Sequence, residues 1–326
     1  MILQAWLYFT NYVNRYGEWK WYEYLIACIN MIAVIYMANT ISTSWTVMYL
    51  PFNISMLIML LTVLFLYLVH VYREKTLKCA AGNSVTILSV VCIIYILALL
   101  SIFFSWSSIV IWLDVVAVLT GAFLPFFLKG DFDRSIISFP HLAERFELLT
   151  IITFGEAIVG MTHFFDISHF NFIPIMVFFI VLTMFGSYVV QIHNLMDHHR
   201  EERSLRLMFS HYFIVISINI VTVALELIHS GEVNHWIVSA MMIISLIVFY
   251  VSIMVNREYY HDGVELKKSG VASMSGISLI GIVVIISCVN NLYGFLLGVL
   301  IITVGNLALL IRKYNDFQAN IKIVND

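Results

Sequence analysis

The Lys and Arg residues of this chain occur only in alternate gaps between long apolar segments. The sequence has 17 of them among 326 residues, of which 61% are hydrophobic. About 20 mostly apolar residues are enough to cross a bilayer as a helix. Ten segments meet this length, at roughly 22–40, 47–71, 84–104, 107–128, 142–162, 172–195, 205–228, 234–255, 271–289 and 291–311. The sequence therefore predicts an all-α fold, a polytopic transmembrane helix bundle of about ten spans.

The positions of the basic residues also predict the orientation of the chain. Cytoplasmic loops of membrane proteins are enriched in Lys and Arg. The gaps without them lie around 41–46, 105–106, 163–171, 229–233 and 290. Both termini are therefore predicted to be cytoplasmic. The predicted domains are an interfacial N-terminal segment (1–21), a transmembrane helical domain (22–313) and a short cytoplasmic tail (314–326).

Composition argues against several classes of function. Only 11% of the residues are charged, whereas soluble domains have about 25%. The net charge of −3 does not suggest a nucleic-acid partner, and the sequence has no P-loop, Rossmann glycine pattern, nucleophile elbow or H-E-x-x-H motif. No cofactor is expected, the expected partners are membrane lipids and a small ion or solute, and a homo-oligomer is compatible with the sequence. The cysteines form no C-x-x-C pair and are interpreted as small core residues: Cys28, Cys79, Cys92 and Cys288.

Three acidic residues fall inside predicted spans, namely Asp114, Glu156 and Glu226. A charged residue in the middle of a membrane helix costs roughly 2.5–3.5 kcal/mol and usually faces protein or water. The predicted topology places all three in the outer half of the membrane. Glu226 is also close enough to a helix end for its side chain to reach water.

Polar residues also recur along one face of consecutive spans. In the seventh span this face would hold His211, Asn219, Thr222 and Glu226. In the sixth it would hold Thr183, Ser187, Gln191, Asn194 and His198. Such faces are expected either to line a water-filled or substrate-lined cavity or to hydrogen-bond one helix to another.

The segment from His141 through Glu144, Arg145 and Phe146 to Gly155-Glu156 resembles the signature of the bacterial low temperature requirement A (LtrA) family. That signature begins H-x-x-E-R-[FY] and continues to G-E. The seventh span, from His211-Tyr212 to Glu226, resembles the second recurring helix of the family. In the first span, Glu23-Tyr24-Leu25 resembles another family stretch, although Ala27 replaces its Asp.

The resemblance implies a multi-pass protein of the bacterial plasma membrane and singles out Glu144, Arg145, Gly155 and Glu156, but implies no particular reaction. From the residues alone, Glu144 and Arg145 would anchor the cytoplasmic end of a span. Gly155 would permit close approach of another backbone, and Glu156 is the leading candidate for a proton carrier or cation ligand.

Two predicted external loops share the pattern H-x-x-[DE]-x-x-H. Imidazole and carboxylate groups are competent metal ligands, so the pattern is a candidate metal site, although polar loops often contain His. The residues are His163, Asp166 and His169 in one loop, and His229, Glu232 and His235 in the other.

Three functions remain open from the sequence. The favoured one is a transporter or channel for protons, cations or a small solute, in which Glu156, Glu226, Asp114, His211, Asn219 and Gln191 bind the ion or substrate. The second is an intramembrane enzyme that acts on a lipid or isoprenoid through Glu144, Arg145 and His211. The third is a non-catalytic membrane factor for growth in the cold.

Overall fold

The computed structural model describes residues 2–42, 44–74, 80–104, 106–128, 138–165, 171–198, 205–264 and 268–325. Within these ranges the fold is entirely helical, apart from one isolated antiparallel bridge between Met196 and Tyr260. The helices are α1 (Ile2–Tyr16), α2 (Trp21–Thr40), α3 (Trp45–Glu74), α4 (Ala80–Phe103), α5 (Ser107–Phe127), α6 (Phe139–Gly160), α7 (Ile173–Val189), α8 (Leu205–Ser230), α9 (His235–Val255), α10 (Lys268–Ser287) and α11 (Leu292–Asn325).

Nine helices of the described residues are long and apolar enough to cross a membrane: α2 to α5 and α7 to α11. The all-α, multi-pass prediction is therefore confirmed. Helix α6, the fifth predicted span, is outside that set because Glu144, Arg145, Glu147 and Glu156 interrupt its apolar sequence. Its 22 residues nevertheless give it a length of about 33 Å.

The chain divides into two compact units. The first comprises α1 to α5 and the beginning of α6 as far as Leu142, and the second begins at Ala143 and contains α7 to α11. Consecutive helices α2 to α5 pack side by side in the first unit. In the second unit, α8 packs on α9, and α11 packs on both α10 and α7.

Helix α1 packs into the first unit, against α3 and α5. The Gln4 amide donates to the carbonyl of Val118 at 3.2 Å, and the Tyr8 hydroxyl donates to that of Gly121 at 2.6 Å. A Cβ atom on Gly121 would lie 1.9 Å from the Gln4 amide nitrogen, so glycine provides the space for this contact. One face of the predicted interfacial helix is thus covered by protein.

The Glu23 carboxylate joins α1 to α2. It accepts hydrogen bonds from the backbone N–H of Lys20 at 3.2 Å and from the Tyr12 hydroxyl at 3.1 Å. Burial, with a smaller contribution from the Glu23 charge, raises the pKa of Tyr12 well above its usual value. The Tyr12 phenol is therefore a neutral donor that helps to fix the start of α2.

Close packing of α10 on α11 depends on glycine. A Cβ atom on Gly281 would lie 2.6 Å from the carbonyl oxygen of Gly298, and one on Gly305 would lie 2.4 Å from Ile277. Gly276 has open space instead. Asn291 separates the two helices and its side-chain oxygen accepts from the Gly294 N–H at 3.2 Å.

The interpretation of the cysteines needs partial revision. The interpretation of the cysteines as core residues holds for Cys92, which is buried, but is wrong for Cys28, which is exposed. Cys288 is half-buried, and Cys79 lies outside the described residues. The predicted tail begins as a helix, because α11 continues without a break to Asn325.

Candidate functional site

The polar face predicted for α8 is divided between protein interior and surface. His211 is fully buried, Thr222 is half-buried, and Asn219 and Glu226 are exposed. The Asn219 amide bonds to the carbonyl of Val215 in its own helix, at 2.9 Å. The buried end is therefore the part of this face where the protein surrounds an ionisable group on all sides.

The imidazole of His211 is hydrogen-bonded at both nitrogens. Nδ1 lies 2.8 Å from the carbonyl oxygen of Leu207, and Nε2 lies 3.0 Å from the hydroxyl of Tyr188 on α7. A carbonyl can only accept, so Nδ1 carries a proton. In the neutral ring, Nε2 then accepts from Tyr188. A proton arriving at Nε2 would make it a donor to the Tyr188 oxygen, so the same contact serves both charge states.

Aromatic rings complete the surroundings of this pair. The ring of Phe146 on α6 lies 5.1 Å from that of His211, and Tyr188 presents its edge at 5.7 Å. Thr150, one turn after Phe146, also interacts with Tyr188. Side chains from α6, α7 and α8 therefore form one buried cluster.

The cluster extends from His211 toward α9. Ser210, the neighbour of His211, donates to the Asn256 side-chain oxygen at 2.7 Å. The Asn256 amide nitrogen is buried without a hydrogen-bond partner. The Gln191 amide donates to the carbonyl of Ile253 at 3.2 Å, while its own oxygen is also left without a partner at hydrogen-bond distance. An unpaired donor and an unpaired acceptor are the groups that a buried water joins.

Gln191 lies where helix α7 changes its type. Helix α7 continues as a π-helix over Val190–Leu195, and such wide turns occur often at functional sites. Thr183, Ser187 and Gln191 are all buried, as a regular helix predicts. His198 lies beyond the helix, where its Nε2 is 2.8 Å from the carbonyl oxygen of Ile192, so its predicted place on this helical face is wrong.

Tyr260 lies next to this wide turn, in the bridge with Met196. Burial raises the pKa of its phenol strongly, and the nearby Gln191 carboxamide partly opposes that shift. The phenol therefore remains neutral and adds another hydroxyl to the Gln191 end of the cluster.

An acid–base pair, Glu147 on α6 and His193 in the π-helix, lies close to the buried cluster. Glu147 Oε1 is 2.5 Å from His193 Nε2, and the His193 side chain is 52% exposed. Sequence reasoning missed both residues, although Glu147 directly follows Phe146 of the recognised motif. The sequence does offer a signal for Glu147, because it is a third charged residue in the helical turn that contains Glu144 and Arg145.

One of the three predicted acids, Asp114, lies in the first unit. Asp114 on α5 is 4% exposed, and its Oδ2 accepts from the Asn53 amide of α3 at 3.3 Å. This pair belongs to a different unit from His211.

Comparison with known families accounts for the motif on α6 and α8. The model of the family described as Bacterial low temperature requirement A protein (LtrA) matches residues 1–310. The chain belongs to the LtrA family. No curated protein and no solved structure matches it. The match covers helices of both units, so the resemblance extends well beyond the α6 motif.

The charged residues of the LtrA motif lie on the outside of α6. His141, Glu144 and Glu156 are exposed and Arg145 is half-buried, whereas Phe146 between them is buried. Gly155 is also exposed, and a Cβ atom there would meet nothing within 4 Å. The expectation that Gly155 permits a close approach is therefore wrong.

Gly160 has the close contact that was expected of Gly155. A Cβ atom there would lie 3.0 Å from the Glu226 carboxylate of α8. Gly160 follows Glu156 by four residues, so both lie on the same face of α6. Glu156 and Glu226 thus lie toward the same face of α6. Glu226 is about 22 Å along α8 from His211.

The structure describes the second of the two candidate metal motifs but only part of the first. Asp166 and His169 lie outside the described residues, and so does the side chain of His163. Among the residues that the structure describes, no three His, Cys, Asp or Glu side chains are placed to share a metal ion. His229, Glu232 and His235 are therefore not brought together, and His229 packs instead against the ring of Phe164 at 4.6 Å.

Proposed function

We propose that this LtrA family protein transports protons, or a small solute or cation coupled to protons, through its second unit. It would be a ten-span protein of the bacterial cytoplasmic membrane with both termini in the cytoplasm. The positive-inside pattern supports this topology. Ten spans require that α6 also crosses the membrane, in addition to the nine apolar helices. Its length of 22 residues allows this.

The observation that carries the proposal is the fully buried imidazole of His211, bonded to Tyr188 at 3.0 Å within a membrane helix. Ionisable groups inside membrane proteins often mark proton relays. Imidazole gains and loses a proton near neutral pH. Nε2 is the atom of His211 that would exchange the proton, since Nδ1 is held by Leu207.

The surrounding groups suggest a role for each end of the site. Glu147 and His193 would exchange protons with water beside the buried cluster, because His193 is exposed. Glu156 and Glu226 would attract cations at the other end of α8. Gln191 and Asn256, each with one buried unpaired atom, would hold water between these groups.

The geometry favours transport over an intramembrane enzyme. An enzyme that used Glu144, Arg145 and His211 together would need all three to face one substrate. His211 is enclosed by protein, whereas Glu144 is exposed. A non-catalytic role remains the alternative and predicts that replacing His211 changes no flux.

Proton flux into proteoliposomes tests the proposal directly. Purified protein is reconstituted with an internal pH dye, and a pH gradient or membrane potential is imposed. We expect flux in the wild type, its loss in His211→Gln and its reduction in Glu156→Gln. Glu232→Gln is the matched control, because Glu232 is an exposed acid in the connection between α8 and α9.

Each variant is first shown to be folded by size-exclusion chromatography in detergent. Wild-type flux that survives in folded His211→Gln would refute the role of the imidazole. No proton-dependent flux from folded wild-type protein would refute proton transport, and lipid analysis of a deletion strain would then examine the enzyme alternative.

A further inference from the structure

The first unit contains a buried polar pair that the proposed transport path does not use. It consists of Asp114 on α5 and Asn53 on α3, which are 4% and 0% exposed. The Asn53 Nδ2 group donates to Asp114 Oδ2 at 3.3 Å and to the carbonyl of Tyr49 at 3.0 Å. Both N–H groups of the amide are therefore committed.

The second oxygen of each side chain is different. Asp114 Oδ1 and Asn53 Oδ1 are both buried, and neither has a hydrogen-bond partner. An amide oxygen can only accept, and an ionised carboxylate can also only accept. Burying such acceptors without a donor is costly, and burying the carboxylate charge costs more.

No charged side chain of the neighbouring helices is placed to compensate a negative charge on Asp114. Helix α4 contains no charged residue, and α5 contains none besides Asp114. The charged residues of α3, Arg73 and Glu74, lie about 30 Å along the helix from Asn53, with His70 one turn before them. Helix α1 reaches α5 through neutral groups, Gln4 and the Tyr8 phenol.

We propose that Asp114 and Asn53 form a proton-binding site. With a proton on Oδ1, the Asp114 carboxylic acid donates to Asn53 Oδ1 while the Asn53 amide donates to Asp114 Oδ2. This closes a ring of two hydrogen bonds between acid and amide. A single proton thereby satisfies both buried oxygens and removes the charge.

The site would couple proton binding to the contact between Asn53 of α3 and Asp114 of α5, whether or not the second unit transports protons. Loss of the proton leaves a carboxylate and an amide oxygen that can only accept. The two side chains can then stay together only if water or a cation enters. In its protonated form Asp114 adds no negative charge to a transport path.

Infrared spectroscopy of the purified full-length protein in lipid tests the site without any transport assay. At neutral pH we expect a protonated-carboxyl band that shifts in D2O. It should disappear in Asp114→Asn and persist in Glu156→Gln, which removes an exposed acid from another helix. In Asn53→Leu the band should move to higher frequency, because the carboxyl loses its hydrogen-bonded partner.

Thermal unfolding in detergent separates this result from a failure to fold. Asp114→Asn can form the same two-bond ring between two amides, so it should unfold at the wild-type temperature. A folded wild-type protein without an Asp114-dependent protonated-carboxyl band would overturn the proposal. So would stabilisation by sodium or lithium ions that depends on Asp114, since a metal ion would then take the place of the proton.

Discussion

The His211 cluster of the second unit and the Asp114–Asn53 pair of the first differ in their balance of donors and acceptors. Around His211, both ring nitrogens are bonded, and the unpaired groups are a donor on Asn256, an acceptor on Gln191 and the Tyr260 hydroxyl, which can donate and accept. Around Asp114 in the first unit, the unpaired atoms are two acceptors. A water molecule can join a donor to an acceptor, whereas two acceptors require a proton or a cation.

The difference has a consequence for how protons act in each cluster. The neutral His211 ring has a partner at both nitrogens, and in the proposed transport it takes up an additional proton at Nε2, beside Tyr188. The Asp114 pair is incomplete until it has bound one. In the two proposals, the imidazole of His211 exchanges a proton and the carboxyl group of Asp114 retains one.

The largest effect should come from removing each central side chain. His211→Leu leaves the buried Tyr188 hydroxyl without its acceptor, so we expect the free energy of unfolding to fall by about 2 kcal/mol. Asp114→Leu should cost about 1 kcal/mol or less, because Asn53 keeps its bond to Tyr49. Equilibrium unfolding in mixed micelles measures both values. A larger loss for Asp114→Leu would reverse the comparison and indicate an ionised, paired carboxylate.

The boundaries of most helices could be predicted from the sequence because lipid imposes a simple rule on apolar length. Helix α6 shows where that rule ends. Its four charged residues remove it from the clearly apolar spans, and its position depends on Phe146 and Phe154 packing on other side chains. Helix α1 shows the same limit, because no local pattern reveals that Tyr8 bonds to Gly121, 113 residues away.

A second test asks whether Tyr188 and His211 act as a pair. Tyr188→Phe alone should cost about 1 kcal/mol, because the buried Nε2 loses its donor. In the His211→Leu background the same change should restore part of the lost stability, because it removes the hydroxyl that was left without its acceptor. A double-mutant cycle in mixed micelles gives the coupling energy directly. Additive effects would mean that the 3.0 Å contact does not stabilise the unit.

The candidate site was predictable in part. Helical periodicity selected His211 and Gln191 because regular helices place such residues on one face, and both are buried. It failed for His198, which lies beyond the π-helix that follows Val189. The family motif pointed to Gly155 rather than Gly160, because a sequence shows where a glycine is but not which helix approaches it. Glu147 and His193, 46 residues apart, are joined only by tertiary packing.

The smallest expected effects come from the amides that support each cluster. Asn53→Leu removes the hydrogen-bonded ring with Asp114, and Gln191→Met removes one bond to the carbonyl of Ile253. The free energy of unfolding should fall by about 0.6 kcal/mol for each hydrogen bond lost, the average found for hydrogen bonds between membrane helices. If Asp114 holds its proton, the cost of Asn53→Leu should be the same in mildly acidic and mildly alkaline buffer, as it should be for Gln191→Met. A cost for Asn53→Leu alone that grows as the pH rises would show that the amide stabilises a carboxylate, because removing an N–H donor destabilises the charged form more than the neutral one. Unfolding curves of the two variants at both pH values therefore distinguish a cluster that retains its proton from one that releases it.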